Sequence, residues 1–266
     1  MQGCFEEFEK LMKLVELDRT KDKVILVGDI GFNQKKSLGL AIGSIKMIQH
    51  ARENAWNSES KKGYILTVRG NHEDAILKAM LKPEGNKGHF AVDGAGGERM
   101  QKDDGEFLRT LPMMVRVPSH KLVVVHAGLE AGVALEDQRH VVNTKLRVLA
   151  EEPAQWWGLK QPARWLPVEN KRGVPKNVHS TSWAKLWPGP NHAVFGHDAR
   201  QGLQLWPFAT GLDTGASGEK ENGALTALVL PKKASSKLPG PCESTVGGRP
   251  GEIQSVPYLK RRYYSA

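Results

Sequence analysis

The sequence has few of the features that mark a secreted, cross-linked or membrane-embedded chain. It holds two cysteines, Cys4 and Cys242, at opposite ends of 266 residues and without metal-ligand spacing. A disulfide framework is therefore excluded, and reduced thiols fit an intracellular compartment. No stretch approaches the roughly 18 consecutive apolar residues that a bilayer span requires. The chain opens Met1-Gln2-Gly3-Cys4 and passes at once into charged residues. That leaves no room for a secretory n-region and h-region, so the expectation is a cytoplasmic protein without a membrane partner. Acid is also in short supply: 29 Asp plus Glu face 38 Lys plus Arg, a formal net charge of +9. The surplus favours polyanions such as nucleotides, polyphosphate or RNA as partners without choosing among them. A solvated basic surface would read the same way. At 39% hydrophobic and 25% charged residues the composition is that of a folded globular chain, which excludes wholesale disorder. The length suits one large α/β domain, or one domain with a cap.

What is present is a rhythm of helix and strand. Phe5, Phe8, Leu11, Met12 and Val15 recur at spacings of three and four, the period of an amphipathic helix. Val24-Ile25-Leu26-Val27 is a short continuous apolar run closed by Gly28-Asp29, which reads as a buried strand with an acid at its carboxyl end. A second helix is predicted from Ser37 to about Ala51, and a second buried strand over Tyr64–Val68 ends at Gly70-Asn71-His72. Alternation of this kind argues for right-handed crossovers in a layered α/β domain. Lys82–Gly105 reads as an irregular connection. Further strands are predicted at Met114–Val117, Leu122–Val125, Ala193–Phe195 and Leu225–Leu230. Trp156, Trp157, Trp165, Trp183 and Trp187 crowd one region and read as a Trp-rich insertion, about 139–190, packed over the sheet. The main domain is taken as 1–231. Residues 232–251, rich in Pro, Gly, Ser and Lys, read as a flexible insertion, and 252–266 as a final strand over Ile253–Tyr258, antiparallel to Leu225–Leu230, with a basic tail.

Polar residues able to bind metal recur directly after the apolar runs: Asp29, Asn71, His126 and His197. In open α/β sheets ligands bind outside the carboxyl ends of the strands, so four such ends would gather these side chains in one crevice. One carboxylate, one amide oxygen and two imidazoles suit a divalent cation that withdraws charge from phosphate and acidifies a bound water. His72, next to Asn71, would point into the same crevice as a general acid.

Val27-Gly28-Asp29, Gly70-Asn71-His72-Glu73, His126-Ala127-Gly128-Leu129 and Phe195-Gly196-His197-Asp198 together resemble the calcineurin-like metallophosphoesterases. Gly211-Leu212-Asp213-Thr214-Gly215, followed by Leu225–Leu230, looks more narrowly like the symmetrical diadenosine tetraphosphatases and their ApaH-like relatives. The resemblance implies an α/β fold, a four-layer α/β/β/α sandwich, and a two-ion site of Mn, Fe, Zn or Mg with the ions about 3.5–4 Å apart. It implies that Asp29 bridges the ions, that Asn71, His126 and His197 complete the second site, and that His72 is the acid. Two departures accompany it. The family opens with a strand and Gly-Asp-x-His-Gly; the Asp of that motif is absent here, Gln2 stands at the His position, and the first strand is missing from the chain. The first-ion site is then incomplete, which fits either a start at an internal methionine or a degenerate form. After Asp29, Asn33 replaces the family's basic residue, so that Lys35 or Lys36, or else Arg200, would have to contact phosphate. The resemblance thus implies a hydrolase of phosphoanhydride bonds in dinucleoside polyphosphates or related polyanions, including an RNA 5′ end. A protein Ser/Thr phosphatase, a polyphosphatase and a metal-deficient binding module are the alternatives.

Overall fold

A computed structural model describes residues 1–31, 38–81, 100–151, 165–168, 178–217, 222–230, 245–246, 249–250 and 252–257. The amphipathic repeat folds as α1 (Phe5–Leu14), with Phe8 and Leu11 buried. β1 (Val24–Leu26), α2 (Leu38–Glu53) and β2 (Ile65–Thr67) form a parallel crossover in which Val24 pairs with Ile65 and Leu26 with Thr67. α3 (Asn71–Met80) and α4 (Lys102–Thr110) follow. The second half contains β3 (Met114–Val117), β4 (Leu122–Val125), α5 (His140–Lys145), β5 (Val148–Glu151), β6 (Trp165–Val168), β7 (Ser180–Ser182) and α6 (Trp183–Leu186). It continues with β8 (His192–Phe195), β9 (Gln204–Trp206), β10 (Ala209–Gly211) and β11 (Ala224–Val229), then β12 (Thr245–Val246), β13 (Arg249–Pro250) and β14 (Glu252–Pro257).

Hydrophobic alternation sets the layers. Val24 and Leu26 of β1 join the core under α1 and α2, whereas Ile25 and Val27 join a second core with Val124 and Val194 of the opposite sheet. That second sheet has the order β3-β4-β8-β10-β9; β4, β8 and β10 run parallel between antiparallel edges. Its outer face packs Val123, Val125 and Phe195 against Trp183, Trp187 and Val142, so α5 and α6 form the fourth layer. The α/β/β/α sandwich expected from the sequence is therefore present. The tryptophans that the structure describes in the insertion lie within or against this outer core, as β5, β6 and β7 build a small antiparallel sheet beside it. Trp156 and Trp157 lie outside the described residues.

The predicted pairing of the last strands also holds, since β11 runs antiparallel to β14 with Leu228 opposite Ile253. Two expectations need revision. The connection read as irregular to Gly105 gives way to α4 at Lys102, where Gln101 N–H is capped by Asp104. Part of the segment read as a flexible insertion forms the β12–β13 ladder. β1 pairs with β2 and β11 with β14, Ala224 of β11 also bridging to Gly215, and β1 and β11 both line a cavity of about 600 Å³.

His192, on β8, gives the fold a measurable pH dependence. Its ring is buried and hydrogen-bonded to Thr210 Oγ1 at 2.9 Å, and burial pushes its pKa down to about 4. Between the ordinary imidazole value and that one, the unfolded chain takes up a proton that the native chain does not. Stability is then full above about pH 6.5 and falls by about 3 kcal/mol as the pH drops toward 4. Urea midpoints measured at pH 7.5 and 4.5 should show this loss, and His192→Gln should shrink it.

Candidate metal centre

The parallel strands decide where the polar residues go. β1 and β2 deliver Asp29 and Asn71 to the same end of the first sheet, and β4 and β8 deliver His126 and His197 to the same end of the second. Backbone contacts lock the four termini together: His126 Nδ1 lies 2.8 Å from the Val27 carbonyl, and Gly196 N–H donates to the His126 carbonyl at 2.9 Å. Asp29 and His197 both adopt left-handed backbone, φ +50° and +67°. Such conformations strain a residue with a Cβ, and here they turn the two side chains inward from their strands. Gly28 allows the approach. A Cβ at that position, where φ is +82°, would sit 2.7 Å from His126 Nδ1.

The result is a convergence of lone pairs. His126 Nε2 lies 3.1 Å from Asn71 Oδ1, 3.2 Å from His197 Nδ1 and 3.3 Å from Asp29 Oδ1. Because His126 Nδ1 faces a carbonyl, that nitrogen carries the proton in the neutral ring, and Nε2 presents a lone pair to neighbours that are themselves acceptors. Three acceptors at this spacing with no proton between them repel unless a cation joins them, and Asp29, His126 and His197 each have one ligand atom within 4.8 Å of the others. A backbone carbonyl fixing the far nitrogen of a histidine is also the usual support of a metal-binding imidazole. Burial, then the charges of His126 and Arg147, holds the His197 pKa far below the ordinary imidazole value. Burial raises that of Asp29, but its electrostatic interaction with the His126, His72 and His197 rings outweighs this and keeps the carboxyl well below its usual range. A neutral imidazole beside an ionised carboxylate is the protonation state that an ion requires. The Gln2 amide adds a further donor: Nε2 is 3.4 Å from Asp29 Oδ2, and the buried Oε1 has no hydrogen-bond partner.

His72 stands at the edge of this cluster, its backbone N–H donating to Asp29 Oδ1 at 3.0 Å and its Nε2 3.8 Å from Asp29 Oδ2. Of the cations expected to meet phosphate, Arg200 is exposed and outside the cavity wall, and Lys35 and Lys36 lie outside the described residues. Arg147, which the sequence did not single out, lines the cavity instead. It donates from Nη2 to the His197 carbonyl at 3.0 Å, and its Nε is 3.7 Å from Asp198 Oδ1.

Glu73 was also missed as a functional residue, although it ends the Gly70-Asn71-His72-Glu73 motif. It is fully buried, and its carboxylate accepts three backbone N–H groups: Asp29 at 2.9 Å, Gly31 at 2.9 Å and Gly70 at 2.7 Å. Burial and the negative charge of Asp29 push its pKa up, against the pull of those amides. One side chain thereby clamps the loop after β1 to the start of α3. Its place three residues after the N-cap, that of the acid in a capping box, was the available signal.

Residues 1–201 match the calcineurin-like phosphoesterase family. The chain belongs to it. Among curated relatives, a symmetrical bis(5′-nucleosyl)-tetraphosphatase of Actinobacillus pleuropneumoniae serotype 5b is 26% identical over 129 residues, 48% of this chain and 43% of the relative. One from Shewanella sediminis is 29% identical over 142 residues, 52% and 46% respectively. The chain thus spans about half the length of these curated relatives. A crystal structure of a proposed diadenosine tetraphosphatase superimposes with a TM-score of 0.69 at 26% identity, covering 98% of this chain and 91% of that one. The family uses divalent metals, and the donor set at Asp29, Asn71, His126 and His197 fits one. Among the described residues no helix is long and apolar enough to cross a membrane.

Proposed function

We propose that this chain is a metal-dependent phosphoesterase that hydrolyses phosphoanhydride bonds in dinucleoside polyphosphates or related nucleotide and capped-RNA polyanions. The observation that carries the reading is the meeting of Asn71 Oδ1, His197 Nδ1 and Asp29 Oδ1 within 3.3 Å of His126 Nε2. Asp29, Asn71, His126 and His197, with Gln2, would hold the divalent ion. A bound divalent ion supplies Lewis acidity toward the phosphoryl oxygens and lowers the pKa of water from about 15.7 to near 7. Val27 fixes the His126 tautomer through its carbonyl, and Glu73 holds the loop that aims Asp29. His72, beside Asp29, carries the proton for the departing phosphate oxygen. Arg147 binds a non-bridging oxygen, with its orientation set by the His197 carbonyl. The net charge of +9 favours an extended polyanion over a phosphoprotein loop.

The test is hydrolysis of diadenosine tetraphosphate and of a phosphopeptide by the purified chain under titration with Mn, Mg, Zn and Fe. Metal-dependent turnover of the first in preference to the second supports the reading, and no turnover with any ion overturns it. For Arg147→Ala we expect KM to rise about 10- to 100-fold with a smaller change in kcat, the loss of a charge-assisted phosphate contact of about 1.5–3 kcal/mol. Steady-state kinetics on the same substrate checks this.

One observation favours a second reading, a binding module. Asp29 is the sole carboxylate in the cluster among the described residues. Calorimetric titration separates the two: one ion bound without turnover supports the module, and two ions with turnover support the enzyme.

A further inference from the structure

The four ion donors come from two sides of the sandwich. Asp29 and Asn71 follow β1 and β2 of the first sheet, and His126 and His197 follow β4 and β8 of the second. Because acceptors at this spacing repel one another, contacts outside the donor cluster have to hold the two sides at coordination distance. α5 (His140–Lys145) makes such contacts toward both sides.

Asn143 grips the loop that carries His126. It is fully buried; its carbonyl accepts Ala127 N–H at 2.7 Å, and its side-chain Nδ2 donates to the Gly128 carbonyl at 3.0 Å. Trp183 and Leu146 pack on the same loop so closely that a Cβ at Gly128 would sit 2.8 Å from Trp183 Nε1 and 2.9 Å from Leu146 Cδ2. Asn143 Oδ1 is buried without a hydrogen-bond partner. An amide buried with one end unpaired costs stability, so packing alone does not account for it, whereas a grip on the loop does. The first residue of the same helix reaches the other side. His140 Nε2 lies 2.7 Å from Asp74 Oδ2, and Asp74 stands on α3 one turn after Asn71. Arg69 Nη1, 3.9 Å from Asp74 Oδ1, flanks that carboxylate, and Thr144 Oγ1 donates to the His140 carbonyl at 3.0 Å. His140 is half-exposed, and an ion pair of that kind adds little to stability. Joining positions 66 residues apart, it can still fix where two elements sit.

We propose that α5 is a clasp that sets the separation of the two sides of the metal centre, with Asn143 positioning His126 and His140, acting through Asp74, positioning Asn71. The inference rests on the metal-centre reading and adds the residues that preform the site. Neither Asn143 nor His140 belongs to the donor cluster; each restrains a segment that does. A donor set held in place binds an ion more tightly than one that the ion must first assemble.

The experiment is calorimetric titration of Mn into the whole purified chain and its variants, with urea midpoints measured on the same preparations. Asn143→Ala should weaken ion binding at least tenfold. His140→Ala should weaken it about three- to tenfold with an unchanged urea midpoint, and His140→Gln, which keeps a donor near the Nε2 position, should restore it to within about twofold. Asp74→Ala should match His140→Ala, and the double variant should lose no more than either alone, because both remove one contact. Met47→Ala, a truncation in the core under α1 and α2, should lower the urea midpoint and leave ion affinity unchanged. Ion affinity equal to that of the unaltered chain in either Asn143→Ala or His140→Ala overturns the proposal. An equal loss in Met47→Ala makes the effect general destabilisation and overturns it as well. Should Asn143→Ala not fold, the His140 and Asp74 variants decide, and losses that multiply in the double variant count against the clasp. No ion binding by the unaltered chain would sink the metal-centre reading itself, whereas ion binding that the variants leave intact sinks the clasp alone.

Discussion

Replacing Glu73 with glutamine is expected to destabilise the fold by about 2–3 kcal/mol and to weaken divalent-ion binding at least tenfold. Glu73 Oε2 accepts Asp29 N–H and Gly70 N–H, while Oε1 accepts Gly31 N–H. A glutamine can keep one oxygen toward the first pair, but its NH₂ then faces the Gly31 N–H, donor against donor, at a fully buried position. The full truncation, Glu73→Ala, leaves all three amides without an acceptor and should cost about 3–6 kcal/mol. That is a large part of the 5–15 kcal/mol typical of a domain. The loss of ion affinity follows because Asp29, in left-handed backbone at φ +50°, is held there partly by its own N–H to Glu73. Supports of metal ligands typically matter 10- to 100-fold in affinity. Urea unfolding and calorimetric titration of Mn measure the two effects. Unchanged ion affinity in a folded Glu73→Gln variant would remove Glu73 from the centre and leave it a helix cap.

His72→Ala is expected to lower kcat on a dinucleoside polyphosphate by about 10²- to 10⁴-fold while leaving ion binding intact. Alanine retains the backbone N–H that donates to Asp29 Oδ1, and the imidazole Nε2 lies 3.8 Å from Asp29 Oδ2, beside the cluster at His126 Nε2. The distinguishing readout is the leaving group. A nitrophenyl phosphodiester departs without protonation, so the variant should lose far less on that substrate. An equal loss on both would assign His72 to ion or phosphate binding instead.

The candidate centre was legible because polar residues terminate buried apolar runs. In a parallel sheet a residue placed after the last apolar position is carried to the rim, which is why Asp29, Asn71, His126 and His197 could be named from the chain alone and are found together. The same logic failed for cations. Arg200 follows His197 by three residues, yet it is exposed away from the cavity wall, whereas Arg147 reaches the cavity from the turn between α5 and β5. Sequence distance from a motif says little about direction once the backbone passes through a left-handed residue such as His197. Glu73 was visible as an acid at a helix start, but its acceptance of amides from Asp29 and Gly31 links positions more than 40 residues apart and required the folded loops.

By itself the sequence determined the α/β class, the antiparallel pairing of the last strands and the identity of the polar residues at the strand ends, while the four layers were implied by the family resemblance. These depend on local periodicity and on the fixed polarity of parallel strands, both written into the order of residues. Only the tertiary structure decided that Glu73 clamps the site, that Arg147 lines it, and that β1 and β11 border one cavity. Those outcomes depend on where distant backbone segments come to rest and which groups they leave unpaired, and no local pattern of side chains encodes that.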